Sequence, residues 1–262
     1  MKLFFSLFFS FVAFGCFLFG ENEKEIFVTV TPESVGLDSK KLQWVDTKMN
    51  DLVANAKLVG GIVMVARQGK VAHVGTYGLR DRERNLPMEK DTIFRIYSMT
   101  KAITSVAALM LEEEGKLNLN DSISKYFPSL KKMMVLGKSG LVEPKREVTV
   151  ADLLRHTSGL TYGWSSQKEI REAHRDAGVL DRDKKLVPMV HGMSKIPLVF
   201  HPGSDWVYGC STDVLGGVVE VASGMPFDQF LKLRILEPLK MKDTDFYVPA
   251  SKVGRFAANY NY

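Results

Sequence analysis

The fold of this chain is decided by one stretch, Phe94-Arg95-Ile96-Tyr97-Ser98-Met99-Thr100-Lys101, which continues into Ala102-Ile103-Thr104-Ser105-Val106-Ala107-Ala108-Leu109-Met110-Leu111. Residues 102–111 carry no charge, which predicts a buried helix that is apolar on nearly every face. Ser98 lies where the N-cap or first turn is expected, and Lys101 follows one turn later on the same face. Burial and the positive end of the helix would both lower the pKa of Lys101. A partly neutral lysine can deprotonate a neighbouring hydroxyl, so the stretch predicts a serine nucleophile.

The Ser-x-x-Lys spacing by itself is weak support for a serine nucleophile, because the same spacing occurs elsewhere in the chain. It recurs at Ser122/Lys125, Ser129/Lys132 and Ser165/Lys168, all among polar, turn-forming or charged residues. Only Ser98 has an apolar approach before it and an apolar helix after it. The alternative interpretation of Ser98 is a helix cap followed by a lysine of the first turn.

Length and composition are those of a globular protein with a large core. The chain has 262 residues, 45% of them hydrophobic and 25% charged, which allows one large domain or two small ones. The formal net charge is +5, but the basic residues form no block. We therefore expect no nucleic-acid partner.

The N-terminus carries a targeting pattern. Residues 3–20 are uncharged and mostly apolar, follow Lys2, and end at a charged segment. They predict a secretory signal peptide, hence a secreted or periplasmic protein, although a membrane anchor that tethers the domain remains the alternative. Of the two cysteines, Cys16 lies in this segment and Cys210 lies outside it, so we expect no internal disulfide.

The order of predicted elements favours an α+β fold. Residues 39–56 have a helical apolar stripe, and residues 61–67 and 71–77 predict an antiparallel hairpin around Gln68-Gly69. Residues 21–97 thus form a part with sheet and helix. Residues 98–262 form a helical part, with a loop at 133–146 and helices at 150–156, 187–195, 212–223 and 226–233.

A second candidate region contains aromatic residues after a turn. Pro202-Gly203 favours a type II turn, and Trp206 and Tyr208 follow it before the next helix. Considered alone, Tyr208 is better interpreted as a core tyrosine with a satisfied hydroxyl.

Three ordered blocks resemble the serine β-lactamase/DD-peptidase-like hydrolases, especially the class C-like branch and its carboxylesterase relatives. The blocks are Ile96-Tyr97-Ser98-Met99-Thr100-Lys101, Val148-Thr149-Val150-Ala151-Asp152-Leu153-Leu154-Arg155-His156-Thr157-Ser158-Gly159-Leu160 and Pro202-Gly203-Ser204-Asp205-Trp206-Val207-Tyr208. The resemblance implies an antiparallel sheet flanked by helices, an all-helical domain, and an active site between them.

The resemblance also implies roles for individual residues. Ser98 matches the acylated nucleophile, Lys101 the lysine that assists its deprotonation, and Tyr208 the tyrosine that relays the proton to the leaving group. Which of Lys101 and Tyr208 is the base stays open. The Ser98 N–H matches one donor of the oxyanion hole, and the block from His156 to Gly159 is structural.

Two departures from the family pattern affect the expected function. Cys210 stands at a substrate-binding position that is often asparagine, which favours esters over amides and β-lactams; alternatively, Cys210 packs as a small hydrophobe. The family's third motif is not found after Tyr208, and Lys138-Ser139-Gly140 has its letters but lies too early. These observations lead us to expect a chain truncated at the C-terminus, with an unpaired sheet edge.

The expected function is ester hydrolysis through an acyl-enzyme on Ser98, with a small-molecule ester or amide as substrate. One alternative is hydrolysis of a β-lactam or a D-Ala-D-Ala peptide, and another is a non-catalytic scaffold or binding protein. The histidines show no pairing at metal-ligand spacing and no phosphate-binding loop is present, so we expect no metal and no cofactor.

Overall fold

The structure is a computed structural model that describes residues 28–179, 181 and 183–260. The predicted signal peptide or anchor at residues 1–20 lies outside the described residues. Within the described ranges, no helix has both the length and the apolar composition that a membrane crossing requires.

The sheet lies at the N-terminal side of the chain and is built on the predicted hairpin. Strands β2 (Gly60–Arg67) and β3 (Lys70–Asp81) pair antiparallel. Gln68 and Gly69 between them both have positive φ, 54° and 69°, as a type I′ turn requires. Two short strands extend the sheet, β1 (Val28–Thr29) parallel to β3 and β4 (Leu86–Pro87) antiparallel to it. Among the described residues, no strand pairs with the outer edge of β2.

Helix α1 (Ser39–Ala54) packs on β3, and its start follows from one capping residue. The Asp38 side chain accepts a hydrogen bond from the Lys40 N–H at 2.8 Å, which satisfies one of the free donors of the first turn. The predicted helix over residues 39–56 is thus confirmed to within two residues.

The remaining helices surround one apolar core. They are α2 (Thr100–Glu113), α3 (Val150–Arg155), α4 (Lys168–Ala177), α5 (Leu186–Met193), α6 (Ser211–Ser223) and α7 (Phe227–Leu231), which continues as the π-helical turn Lys232–Leu236. Short 3-10 helices cover Pro32–Val35, Tyr97–Met99, Ile123–Lys125, Pro128–Lys132 and Ala250–Arg255. Helices α2 and α6 pack against each other at the centre, so the site forms where their N-terminal ends meet.

Two sequence predictions are wrong here. Residues 133–146 contain a hairpin rather than only a loop, with strands β5 (Val135–Gly137) and β6 (Gly140–Val142). Three-residue strands are too short to show an alternating pattern. Helix α2 is not buried on nearly every face, because it packs on α6 and α7 and leaves Val106 48% and Leu109 42% exposed.

The C-terminal tail is anchored beside the stretch that leads to Ser98. The Ala257 N–H donates to the Ile93 carbonyl at 2.9 Å, and Asn259 Nδ2 donates to Tyr97 Oη at 3.0 Å. The Arg95 guanidinium lies 4.1 Å from the centre of the Phe256 ring. These contacts hold residues 93–97, the segment that leads to Ser98, in place on one side.

Candidate active site

The three residues predicted to be catalytic come together in the fold. Ser98 Oγ lies 2.5 Å from Tyr208 Oη although the two residues are 110 positions apart. Lys101 Nζ donates to Ser98 Oγ at 3.4 Å and lies 4.7 Å from the centre of the Tyr208 ring. The serine hydroxyl therefore has two proton-transfer partners within reach.

Ser98 is presented by a tight turn rather than by the regular helix. It lies in the 3-10 turn Tyr97–Met99, and α2 starts at Thr100. Tyr97 has a φ of 42°, which is unfavourable for a residue with a side chain. The Ser98 hydroxyl makes no capping bond to the helix, so it points to Tyr208 and Lys101 instead.

Tyr208 is held by the segment from His156 to Thr161. The Val207 N–H donates to the His156 carbonyl at 3.1 Å, and Ser211 Oγ lies 2.8 Å from Ser158 Oγ in the core. Gly209 passes so close that a Cβ there would lie 2.2 Å from the Leu160 carbonyl oxygen. Only glycine fits at that position, and the close approach fixes the backbone next to Tyr208.

A buried carboxylate organises this supporting segment. Asp152 closes the predicted capping box with Thr149, accepts from Arg146 Nη2 at 2.9 Å, and accepts from Thr157 Oγ1 at 2.8 Å. Burial alone would raise the pKa of Asp152, but these hydrogen bonds lower it to about 2. The Thr157 carbonyl then accepts from the Gly203 N–H at 2.8 Å, so the network reaches the turn before Tyr208.

The site electrostatics differ from the prediction for Lys101. The hydrogen bond from Lys101, together with that from Ser98, lowers the pKa of Tyr208. Burial lowers the pKa of Lys101, but hydrogen bonds and charge interactions with Tyr208 and Tyr162 outweigh it and the net shift is upward. The predicted downward shift is wrong because these tyrosines are brought to Lys101 only by the fold. This direction favours a charged lysine beside an acidified tyrosine.

Two further residues belong to the site and were missed from the sequence. Burial raises the pKa of the Tyr162 hydroxyl, which interacts with Lys101. Asp213, in the first turn of α6, lies open to the cavity yet is surrounded by protein, and burial raises its pKa while Lys101 opposes the shift. The available indication in the sequence was the position of Asp213, five residues after Tyr208 and in the first turn of the next predicted helix.

Cys210 lies in the core and does not line the cavity beside Ser98, so its position fits the alternative prediction that it packs as a small hydrophobe. The residue is 1% exposed, and its Sγ donates to the Thr161 carbonyl at 3.0 Å and lies 3.8 Å from Met193 Sδ. Burial raises the pKa of the thiol. Cys210 is the residue immediately before α6, where the backbone turns its side chain into the core.

A cavity of about 810 Å³ opens beside Ser98 and extends between α2, α6 and α7. Ser98, Lys101, Tyr162 and Asp213 line the end of the cavity at the Ser98 hydroxyl. The other end is lined by the apolar side chains of Leu186, Pro226, Phe227 and Phe246, with the charged residues Lys185, Glu220 and Asp228 beside them. A small or medium-sized apolar group fits this volume. In the part of the chain that the structure describes, no three His, Cys, Asp or Glu residues are grouped to hold a metal ion.

The fold and the site identify the class of protein. The Beta-lactamase family model matches residues 45–262, and the chain therefore belongs to this family, as the resemblance implied. Family membership also agrees with the mixed sheet and helix architecture described above.

Three proteins in particular are similar to this chain in sequence or structure. Esterase EstB of Burkholderia gladioli is 33% identical over 238 residues, which are 89% of this chain and 58% of EstB. The solved structure of EstCE1, a hydrolase with promiscuous acyltransferase activity, has a TM-score of 0.74 and 29% identity over 86% of this chain and 56% of its own. Simvastatin synthase LovD of Aspergillus terreus has a TM-score of 0.69 and 28% identity, over 82% of this chain and 56% of its own. The chain thus spans little more than half the length of these relatives.

Proposed function

We propose that the protein is a serine hydrolase that cleaves small-molecule esters through an acyl-enzyme on Ser98. The observation that carries the proposal is the short contact between Ser98 Oγ and Tyr208 Oη, 2.5 Å, with Lys101 Nζ donating to the same Oγ. A serine hydroxyl needs a neighbouring base to become nucleophilic, and this arrangement supplies one. The similarity to EstB supports an ester as substrate.

In the proposed reaction, Tyr208 acts as the base while Lys101 stabilises its phenolate. Tyr208 accepts the Ser98 proton as Oγ forms a bond to the ester carbonyl carbon, and the carbonyl oxygen becomes an oxyanion. The Ser98 N–H and the N-terminal end of α2 stabilise that negative charge. The bond to the alcohol oxygen then breaks, Tyr208 returns the proton to it, and an acyl-enzyme and a free alcohol result. Water, activated in the same way, releases the acid.

Transfer of the acyl group to a second alcohol is a variant of the same chemistry. The alcohol takes the place of water in the second step, and Tyr208 accepts its proton. The similarity to EstCE1 and to LovD supports this variant. The buried thiol of Cys210, which offers no donor to an amide carbonyl, favours esters over β-lactams and peptides.

The proposal is tested by labelling the purified chain with a fluorophosphonate and mapping the adduct by mass spectrometry. We expect one adduct, on Ser98, and at least a tenfold slower labelling of Lys101→Ala, because Tyr208 then loses the cation that stabilises its phenolate and with it part of a general-base assistance of about 10²–10⁴-fold. Lys168→Ala is the matched control, since Lys168 follows Ser165 at the same spacing but is exposed. A folded protein without an adduct on Ser98 would contradict the proposal.

The rate of Ser98 acylation is expected to rise with pH and to level off. Because Lys101 lowers the pKa of Tyr208, the midpoint should lie below the ordinary tyrosine value of about 10. Removing the positive charge in Lys101→Ala should move the midpoint upward and lower the plateau. The measurement is kcat/KM for an activated ester between pH 6 and about pH 10.5, the range around that tyrosine value. If the midpoint of the pH profile were the same in Lys101→Ala as in the wild type, Lys101 would not affect the pKa of Tyr208.

The length of acyl group that the cavity accepts is expected to depend on Gly216. This residue lies in α6 between the two ends of the cavity, and a Cβ there would lie 3.3 Å from the Phe227 ring and 3.4 Å from Leu186. Gly216→Leu should leave acetyl esters within about threefold of the wild-type rate and reduce octanoyl esters at least about tenfold, because a longer chain loses the apolar contacts beyond residue 216. Val221→Leu, at an exposed position of α6, is the control. Equal losses for both esters would contradict this assignment.

A further inference from the structure

Five aromatic rings form a continuous series around Tyr208. The Trp164 and Tyr162 rings are stacked with centres 4.2 Å apart and planes at 25°. Tyr162 lies 5.9 Å from Tyr208, Tyr208 lies 5.1 Å from His156, and His156 lies 6.2 Å from Trp206. The proposed proton-transfer tyrosine is thus flanked on both sides by a tryptophan, at a distance of one intervening ring.

Both ends of the series are open to solvent. Trp164 is 70% exposed and Trp206 is 60% exposed. Of the three tryptophans in the chain, two lie in this series, and the third, Trp44, is on α1. Large exposed rings gain free energy when a flat apolar group covers them, and stacked or edge-to-face pairs add to that gain. The two tryptophans therefore offer binding surfaces for an aromatic group.

The proposed chemistry places the alcohol part of the ester at these rings. Tyr208 Oη must reach the leaving oxygen at hydrogen-bond distance in order to return the proton. The cavity beside Ser98 is lined by Tyr162 but not by Tyr208, Trp164 or Trp206. The acyl group is therefore assigned to the cavity, and the alcohol extends from Tyr208 across the exposed rings.

We propose that Trp164 and Trp206 form a subsite for the leaving group and that the protein prefers esters of planar aromatic alcohols. This inference rests on the proposed function, since it assigns the leaving oxygen to Tyr208. The two tryptophans do not take part in bond making or breaking. They determine specificity by contact with the aryl ring, while Tyr162 and His156 hold Tyr208 and the tryptophans in one series.

The first test compares two esters that differ only in the alcohol. We expect Trp164→Leu and Trp206→Leu each to reduce kcat/KM for 2-naphthyl acetate by about threefold to tenfold, the range that one aromatic pair contributes. Activity on cyclohexyl acetate should change less than about twofold, because a saturated ring lacks a π-face. Trp44→Leu, which replaces a 67% exposed tryptophan on α1, is the matched control and should change neither rate. Equal losses for both esters would overturn the proposal.

The second test measures binding without turnover. Isothermal titration of 2-naphthol into Ser98→Ala should show binding that weakens at least about threefold when Trp164 or Trp206 is replaced, and cyclohexanol should bind more weakly than 2-naphthol. Unchanged binding in both tryptophan variants would overturn the subsite. If 2-naphthol binds as expected but the wild-type chain cleaves no ester, the subsite stands and the proposed function fails.

Discussion

Ser98→Ala is expected to reduce kcat/KM for ester hydrolysis by at least about 10³-fold, to a rate close to that of the buffer. The loss is this large because the proposed acyl-enzyme has no other atom to form on, and the remaining contacts contribute only a residual acceleration. The protein should stay folded, since the Ser98 side chain is exposed and makes no capping bond. Steady-state rates with p-nitrophenyl acetate, and circular dichroism of the same samples, check both parts.

Two matched serines serve as controls for this result. Ser129 Oγ lies 2.8 Å from His191 Nδ1, so it is a second serine beside a possible base, and Ser165 has a lysine at the same spacing as Ser98. Ser129→Ala and Ser165→Ala should keep full activity, because neither serine lines the cavity. If Ser129→Ala removed the activity and Ser98→Ala did not, the nucleophile would be Ser129 and the proposed mechanism would be wrong.

Asp152→Ala is expected to lower the free energy of unfolding by about 2 to 3 kcal/mol, because the helix cap and the buried acceptor of several hydrogen bonds are lost together. Asp152 is 3% exposed and accepts bonds from Arg146, Thr149 and Thr157. Its loss leaves these donors without their acceptor and removes the capping box of α3. Chemical denaturation at neutral pH measures the change.

The stability that Asp152 contributes to the folded protein depends on pH in a defined direction. The folded-state pKa of Asp152 is lowered from 3.8 to about 2, so its contribution to stability is present above pH 3.8 and is lost as the pH falls to about 2. Asp152→Asn, which keeps the shape but not the charge, should lose less of its stability over this pH interval than the wild type. Asp176→Ala, at an exposed aspartate, should change neither quantity. An Asp152→Ala variant as stable as the wild type would contradict the role assigned to this network.

The sequence was sufficient to predict the residues whose environment is set by local pattern. Ser98 and Lys101 precede an apolar helix, the turn at Gln68-Gly69 joins two β-rich runs, and Thr149 and Asp152 form a capping box; each depends on residues within a few positions. The contact between Ser98 and Tyr208 could not be predicted from local pattern, because nothing local specifies a contact across 110 residues. It was inferred instead from the order of three motifs that resemble a known family.

The features that sequence reasoning missed all depend on tertiary packing. Tyr162 and Asp213 join the site only because the segment after Gly159 and the first turn of α6 converge on Lys101, and the same convergence reverses the predicted pKa shift of that lysine. Whether Cys210 would face the cavity or the core depends on how the backbone enters α6, which no spacing rule gives.

The positive φ of Tyr97 creates a trade-off between stability and activity next to the proposed nucleophile, Ser98. A φ of 42° costs a residue with a side chain on the order of 1–3 kcal/mol, and it persists because the tail around Asn259 and the packing of α2 hold the turn in place. Selection for stability and selection for activity would therefore act on this position in opposite directions. Variants chosen for heat resistance should accumulate changes that relax the turn, whereas variants chosen for turnover should retain it.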